Sequence, residues 1–292
     1  MPRQYVVLAI GVIAVSFAAI FIRLADAPAL VIATYRLCLA TLVILPLGWA
    51  RSGKEMRRLA HRSIVMALLS GAFLALHFGL WITSLKYTSV ATSVVLVTAS
   101  PIFIAIASRF LFGQRLRRHA VAGIVVALAG AALIGYGNWR TGTESLFGGL
   151  LAFAAAMAVA GYLLIGQRLR QGLGTLSYVS VAYASSGALL LVVTLVLRYP
   201  LSGFSGATYV MLVLLALVPQ LLGHTSLNWS LRFVPATFVA IAVLGEPVGA
   251  TLWAFLILDE TPALTEMIGG ILILAGIFVA MRSTSSSEMT RK

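Results

Sequence analysis

Charge is scarce in this chain, and acid scarcer still. Of 292 residues only 8 are Asp or Glu against 21 Lys or Arg, and charged residues make up 10% of the total. A soluble domain carries about 25%, so the chain lacks the polar groups to cover its own surface. A single cysteine, Cys38, excludes an intrachain disulfide and a cysteine-based metal cluster; no metal and no cofactor is expected. Also missing are HExxH, GxSxG, a phosphate-binding glycine loop and paired intramembrane aspartates, which argues against an enzyme. The connections are too short for a ligand-binding domain, which counts against a membrane receptor or scaffold. A net charge of +13 in a soluble protein would point to nucleic acid. Here the basic residues stand in short clusters between apolar runs, so they read as topology charges and no nucleic-acid partner is expected.

What the chain has instead is apolar length. Hydrophobic residues make up 61% and the mean hydropathy is +1.02. A hydrocarbon core of about 30 Å takes about 20 such residues per helix. Runs of that size fall at 4–25, 28–50, 61–85, 88–112, 118–137, 145–168, 175–198, 206–230, 233–258 and 263–282. They predict an all-α polytopic membrane protein with ten transmembrane helices, its first run a retained span because similar runs follow it. RSGKEMRR (51–58) and GNWRTGTE (137–144) are the clearest polar loops, and STSSSEMTRK (283–292) reads as a disordered tail. Only Arg23, Lys86, Arg140 and Arg198 fall on the side away from the N-terminus, and Arg36 and Arg109 lie within spans. All other Lys and Arg share the N-terminal side, which predicts that both termini are cytoplasmic.

The chain also repeats itself. LKYTSVATSVVLVTASP (85–101) aligns with LRFVPATFVAIAVLGEP (231–247), and the same shift matches Gly123 and Gly130 with Gly269 and Gly276, and Gln114 with Glu260. Tyr35 and Tyr183 add a weaker match. The unit is five helices: 1–137 forms the first copy, 138–144 the link and 145–282 the second. An odd number makes the second copy enter the membrane upside down, an arrangement typical of transporters with a site near the midplane. Pro101 and Pro247 occupy matched positions inside spans, where each removes a helical hydrogen bond and favours a kink.

With TYRLCLA (34–40), TSLKYTSVATSVV (83–95), ASPIFIAIASRFLFGQRL (99–116) and VLGEPVGATLWAFLILDET (243–261), the chain resembles the drug/metabolite transporter (DMT) superfamily in its ten-helix form with two EamA repeats. The resemblance implies a bacterial cytoplasmic (inner) membrane protein. It implies a central cavity lined by the third, fourth, eighth and ninth helices, with the first, second, sixth and seventh around it. Bacterial members include exporters of amino acids, and the aromatic amino-acid exporters are the preferred neighbours. Gln114 departs from the glutamate often found there. The first span lacks the glutamate of the small multidrug members, which weakens a drug/proton antiporter reading.

Candidate substrate-binding residues are the polar side chains embedded in the spans. Gln220, His224 and Asn228 recur at i, i+4 and i+8, one face of a helix. Such a stripe must face protein or water, either as interhelical glue or as cavity lining. His77 and Trp81 form an i, i+4 pair, and Thr92, Ser93, Thr98 and Ser100 make the fourth span rich in hydroxyls. Tyr35 and Tyr183 complete the set. Glu246 is the one deep carboxylate and Arg36 the matching cation; each is open to a structural role or to substrate or proton coupling. The expected function is secondary transport by alternating access, with export of small metabolites, foremost neutral or aromatic amino acids, in proton-coupled or facilitated form. Sugar phosphates and nucleotide sugars rank lower, since a fixed negative charge calls for more embedded cations than Arg36.

Overall fold

A computed structural model describes residues 3–112, 118–234 and 236–288, and every regular element among them is helical. Ten rods follow in order: α1 (Arg3–Ser16 and Ala18–Leu24), α2 (Ala29–Arg57), α3 (His61–Ser84), α4 (Val90–Val97 and Ser100–Phe112), α5 (Arg118–Thr141), α6 (Thr143–Arg170), α7 (Thr175–Val196), α8 (Gly206–Ser230), α9 (Ala236–Val243 and Gly245–Leu258) and α10 (Leu264–Glu288). Six of them, α1–α3 and α6–α8, are long and apolar enough to cross a membrane by length and composition, and the other four contain shorter apolar helices. Leu42, Val196, Leu150 and Ile271 stand more than half exposed on the outside of the bundle. That face has no use in water and suits lipid.

Helix ends follow local chemistry. Ser89 and Ser205 cap α4 and α8 by accepting from the backbone N–H groups of Thr92 and Thr208 at 3.0 and 3.2 Å. Asp259, at φ 54°, ends α9 in the left-handed conformation of a C-terminal cap. The expected polar loops are shorter than their composition suggested. Residues 51–57 continue α2 past a non-helical Ser52, because the Glu55 carboxylate reaches across to accept from the Gly174 N–H and the Ser177 hydroxyl at the start of α7. The link 138–144 shrinks to Gly142, whose φ of 137° turns the chain between α5 and α6. The expected disordered tail is helical as far as Glu288, since extending a packed helix gains a hydrogen bond per residue without a new nucleus. Residues 289–292 and Gln114 lie outside the described residues, as does the Arg109 side chain.

The packing exposes the symmetry. Numbering each rod against the one five places on, α2 packs along α7, α5 along α10 and α4 along α9, each rod against its own counterpart. Other contacts pair up as well: α1·α8 mirrors α3·α6, and α1·α9 mirrors α4·α6. Counterparts run antiparallel. A Cβ on Gly130 would meet Gly269 and Ile273, and one on Gly137 would meet Thr265, so ascending α5 descends α10. Likewise Thr34 meets Thr194, whereas Ile44 meets Ser180, along α2 and α7. A rod that meets its copy head to tail is related to it by an axis perpendicular to the helices. The protein is two inverted five-helix halves.

α4 and α9 break at the same place. α4 is interrupted at Thr98 and Ala99, just before Pro101, and α9 at Leu244, just before Pro247. A third irregularity lies in α8, where Ala216–His224 winds as a π-helix around Pro219. Proline has no N–H to give and crowds the carbonyl one turn earlier, so the turn widens.

Candidate functional site

The breaks in α4 and α9 face a partly enclosed cavity at the centre of the bundle, where seven of the rods converge. Arg36 of α2, His77 and Trp81 of α3, Thr98 and Ser100 of α4, Tyr162 of α6, His224 and Asn228 of α8, and Glu246 of α9 supply its polar groups. Aliphatic residues such as Val97, Leu163, Leu227 and Val243 fill the rest. Ser100 and Glu246 are repeat counterparts, each placed immediately before its proline, and so are Val97 and Val243. The cavity therefore lies where the two halves meet.

Arg36 is fully buried. Its Nε donates to Gln220 Oε1 at 2.8 Å, and its guanidinium carbon lies 4.0 Å from the Phe78 ring centre and 5.9 Å from that of Trp81. Stacking on two rings holds a planar cation without using its outer N–H groups. Both outer nitrogens, Nη1 and Nη2, lack a partner among the described residues. Glu246 lines the same cavity, yet among the described residues the one ion pair is Arg23–Glu260, so Arg36 and Glu246 face a shared hollow without closing on each other.

Other groups are left open in the same way. Asn228 donates through Nδ2 to the Tyr162 hydroxyl at 2.6 Å and to the His224 carbonyl at 2.7 Å, and its Oδ1 has no partner. Trp81 Nε1 and Gln220 Nε2 are likewise unpaired. An unmet buried polar group costs about 1–3 kcal/mol, and a charged one more. Of seven such side-chain atoms among the described residues, five belong to this one neighbourhood. The His77 ring is better settled. Its Nδ1 sits 3.1 Å from the Ala155 carbonyl, which can only accept, so Nδ1 carries a hydrogen and donates it there. The ring stacks on Trp81 at 6.0 Å, while His224 meets Phe78 edge-on at 5.3 Å.

The residues expected from the sequence divide into two groups. His77, Trp81, Thr98, Ser100, His224, Asn228, Arg36 and Glu246 line the cavity, and Gln220 adjoins it through Arg36. Thr92 and Ser93 do not: Thr92 donates to Glu266 at 2.6 Å and Ser93 pairs with Ser84, also at 2.6 Å. Both lie in the first turns of α4, beyond the depth of the cavity. Tyr35 donates to the Leu201 carbonyl at 2.5 Å and Tyr183 pairs with Thr225 at 3.2 Å, and neither lines the cavity. Gln220 and His224 of the α8 stripe sit on a π-helix, and Asn228 on the α-helical turns that follow it, so the three do not share the single α-helical face their spacing suggested. The lining is also wider than the ring of α3, α4, α8 and α9, because α1, α2 and α6 contribute Val15, Ala18, Arg36 and Tyr162. Tyr162 went unnoticed in the sequence, since a lone tyrosine in an Ala- and Gly-rich span looks like packing.

An inverted bundle of apolar helices around an unsatisfied polar hollow is the architecture of a membrane transporter. The sequence agrees: it matches the EamA-like transporter family twice, over residues 3–136 and 146–282, and the chain belongs to that family. It is 23% identical over 248 residues to the uncharacterized transporter YxxF of Bacillus subtilis (strain 168), covering 84% of this chain and 78% of that one. It is 26% identical over 274 residues to an uncharacterized transporter of Archaeoglobus fulgidus, covering 90% and 91%. A solved crystal structure superposes with a TM-score of 0.68 at 23% identity, covering 95% of this chain and 96% of the other, which shows the shared fold. The protein is a multi-pass membrane protein of a transporter family.

Proposed function

We propose that the protein carries small zwitterionic metabolites, amino acids with uncharged side chains, across a bacterial cytoplasmic membrane. Both termini lie in the cytoplasm on this reading, and the physiological direction is export. The observation that carries it is the set of unpaired groups around the cavity. A carboxylate needs N–H donors, and Arg36 Nη1 and Nη2, Trp81 Nε1 and Gln220 Nε2 are free to donate. An ammonium needs acceptors, and Asn228 Oδ1 and the Glu246 carboxyl supply them. The aliphatic remainder suits an uncharged side chain, and the rings of Trp81 and Tyr162 extend that to aromatic ones. One guanidinium against one carboxyl favours a zwitterion over a sugar phosphate or nucleotide sugar, whose fixed negative charges need several cations. The small set of polar groups also sets this cavity apart from one built for a purely apolar drug.

Transport then follows from the inverted halves rocking about the cavity, with the paired breaks before Pro101 and Pro247 as the flexing points. Counterflow in proteoliposomes tests the substrate class. Vesicles loaded with one unlabelled neutral amino acid should accumulate the labelled form, and a flat response across the neutral and aromatic amino acids defeats the proposal. A second feature, Glu246 without an ion-pair partner among the described residues, supports proton coupling. Uptake driven by a pH gradient should disappear in Glu246→Gln while counterflow continues at a raised KM, since the amide oxygen still accepts from the ammonium without the charge; pH-driven uptake that survives the change assigns coupling elsewhere.

A further inference from the structure

On the outside of the bundle, α2, α3 and α7 leave an open groove lined by Leu30, Leu76, Gly79, Leu80, Leu190 and Val193. Its floor is made by a missing side chain. Gly79 faces the groove, and a Cβ built there would meet only Leu30 and Leu190, at 3.6 and 3.9 Å. Thr83 turns its hydroxyl back to the Gly79 carbonyl at 2.6 Å, which leaves its methyl for the groove. The wall residues Leu76, Leu189 and Val193 are 43–53% exposed, so the groove opens sideways.

The groove has a depth and a polarity. From Ala75 to the Lys86 that carries its cation it runs 11 residues along α3 and the turn after it. At 1.5 Å per residue that is about 16 Å, close to half of a hydrocarbon core of about 30 Å. The closed end is apolar. The open end, at the face of the bundle away from the chain termini, carries Lys86, Tyr87 and Tyr199, with Arg198 next in sequence. Lys86 makes no ion pair within 4.0 Å among the described residues. Burial pushes its ammonium below the ordinary lysine value, Arg23 adds to that push, and Asp26 opposes it.

We infer that this groove is a binding site for one phospholipid of the leaflet distal to the chain termini, with an acyl chain lying over Gly79 and the phosphate held by Lys86. The length fits one leaflet, the walls fit a hydrocarbon chain, and the Lys86 ammonium at its open end complements the phosphate. Tyr87 and Tyr199 occupy the headgroup level, where amphipathic rings favour the boundary.

Native mass spectrometry of the full chain in mild detergent, titrated with dioleoyl phosphatidylglycerol, tests the site. The wild type should retain one lipid through gentle activation. Gly79→Leu fills the floor with a better helix former, so it should fold and lose the adduct. Lys86→Gln should bind about five-fold more weakly, as one cation near a phosphate is worth about that factor. Thermal unfolding and monodisperse elution verify that both variants are folded, and Gly135→Leu, where nothing lies within 4 Å of a Cβ, is the matched control. Equal retention by all four proteins overturns the site. So does a dimer that Gly79→Leu dissolves, because a second copy would then be the occupant.

Discussion

Replacing Arg36 separates a transport site from a structural brace. The guanidinium is fully buried, holds Gln220 through Nε, and leaves Nη1 and Nη2 free over the cavity. If a substrate carboxylate takes both, two charge-assisted hydrogen bonds are lost in Arg36→Gln, worth about 1.5–3 kcal/mol each. The sum of about 3–6 kcal/mol corresponds to a loss in affinity of roughly 10²- to 10⁴-fold. The empty protein responds differently. It loses one hydrogen bond and a stacked cation worth about 0.5–2 kcal/mol, and it gains relief from an embedded charge that costs several kcal/mol. Its melting temperature should therefore hold or rise. Arg36→Lys keeps the charge as a point and forfeits the planar fork, so it should fall between wild type and Arg36→Gln in substrate affinity. Counterflow KM and thermal unfolding, measured on the same preparations, give the two readouts. Wild-type KM in Arg36→Gln, or a collapse in melting temperature with it, refutes the reasoning and makes Arg36 a brace.

Three further outcomes follow. Tyr162→Phe removes the oxygen that accepts from Asn228 at 2.6 Å and should weaken substrate affinity through a misplaced Asn228 amide; an unchanged KM returns Tyr162 to packing. At the mouth distal to the termini, Glu266 accepts from Ser89, from Thr92 and from the Ala263 N–H, and Glu260 accepts from the Val90 N–H, so two carboxylates hold the start of α4. Glu266→Ala should speed labelling of Thr98→Cys by an impermeant thiol reagent from that side, in a Cys38→Ser background; an unaltered rate means the contacts are not a gate. Gly130→Ala should destabilise the bundle by about 1–3 kcal/mol, since its Cβ would sit 2.5 Å from the Gly269 carbonyl oxygen, while Gly135→Ala should be neutral or stabilising; equal melting temperatures would contradict the tight α5–α10 seam.

Much of the architecture was legible because lipid imposes a simple rule: one apolar run per crossing. The inverted relation was legible too, in the match of Pro101 with Pro247 across an odd number of helices. Loop composition misled at 51–58, because nothing local reveals that Glu55 will reach across to cap α7. Of the charges embedded in spans, Arg36 and Glu246 both line the cavity, and the Arg109 side chain lies outside the described residues. The hydroxyls of α4 divide: Thr98 and Ser100 line the cavity too, whereas Thr92 and Ser93 find partners at the start of α4 that only tertiary contact reveals. Regular spacing located the α8 stripe without its geometry, since Pro219 widens the turn to a π-helix that a period of 3.6 does not describe.

The account rests on a hollow that recognises both ends of a zwitterion. Binding of a labelled neutral amino acid to the purified protein, competed by the same amino acid blocked as its N-acetyl derivative and as its carboxamide, tests it most directly. Competition by the free amino acid and by neither blocked form is the predicted result. Equal competition by a form lacking either charge contradicts it.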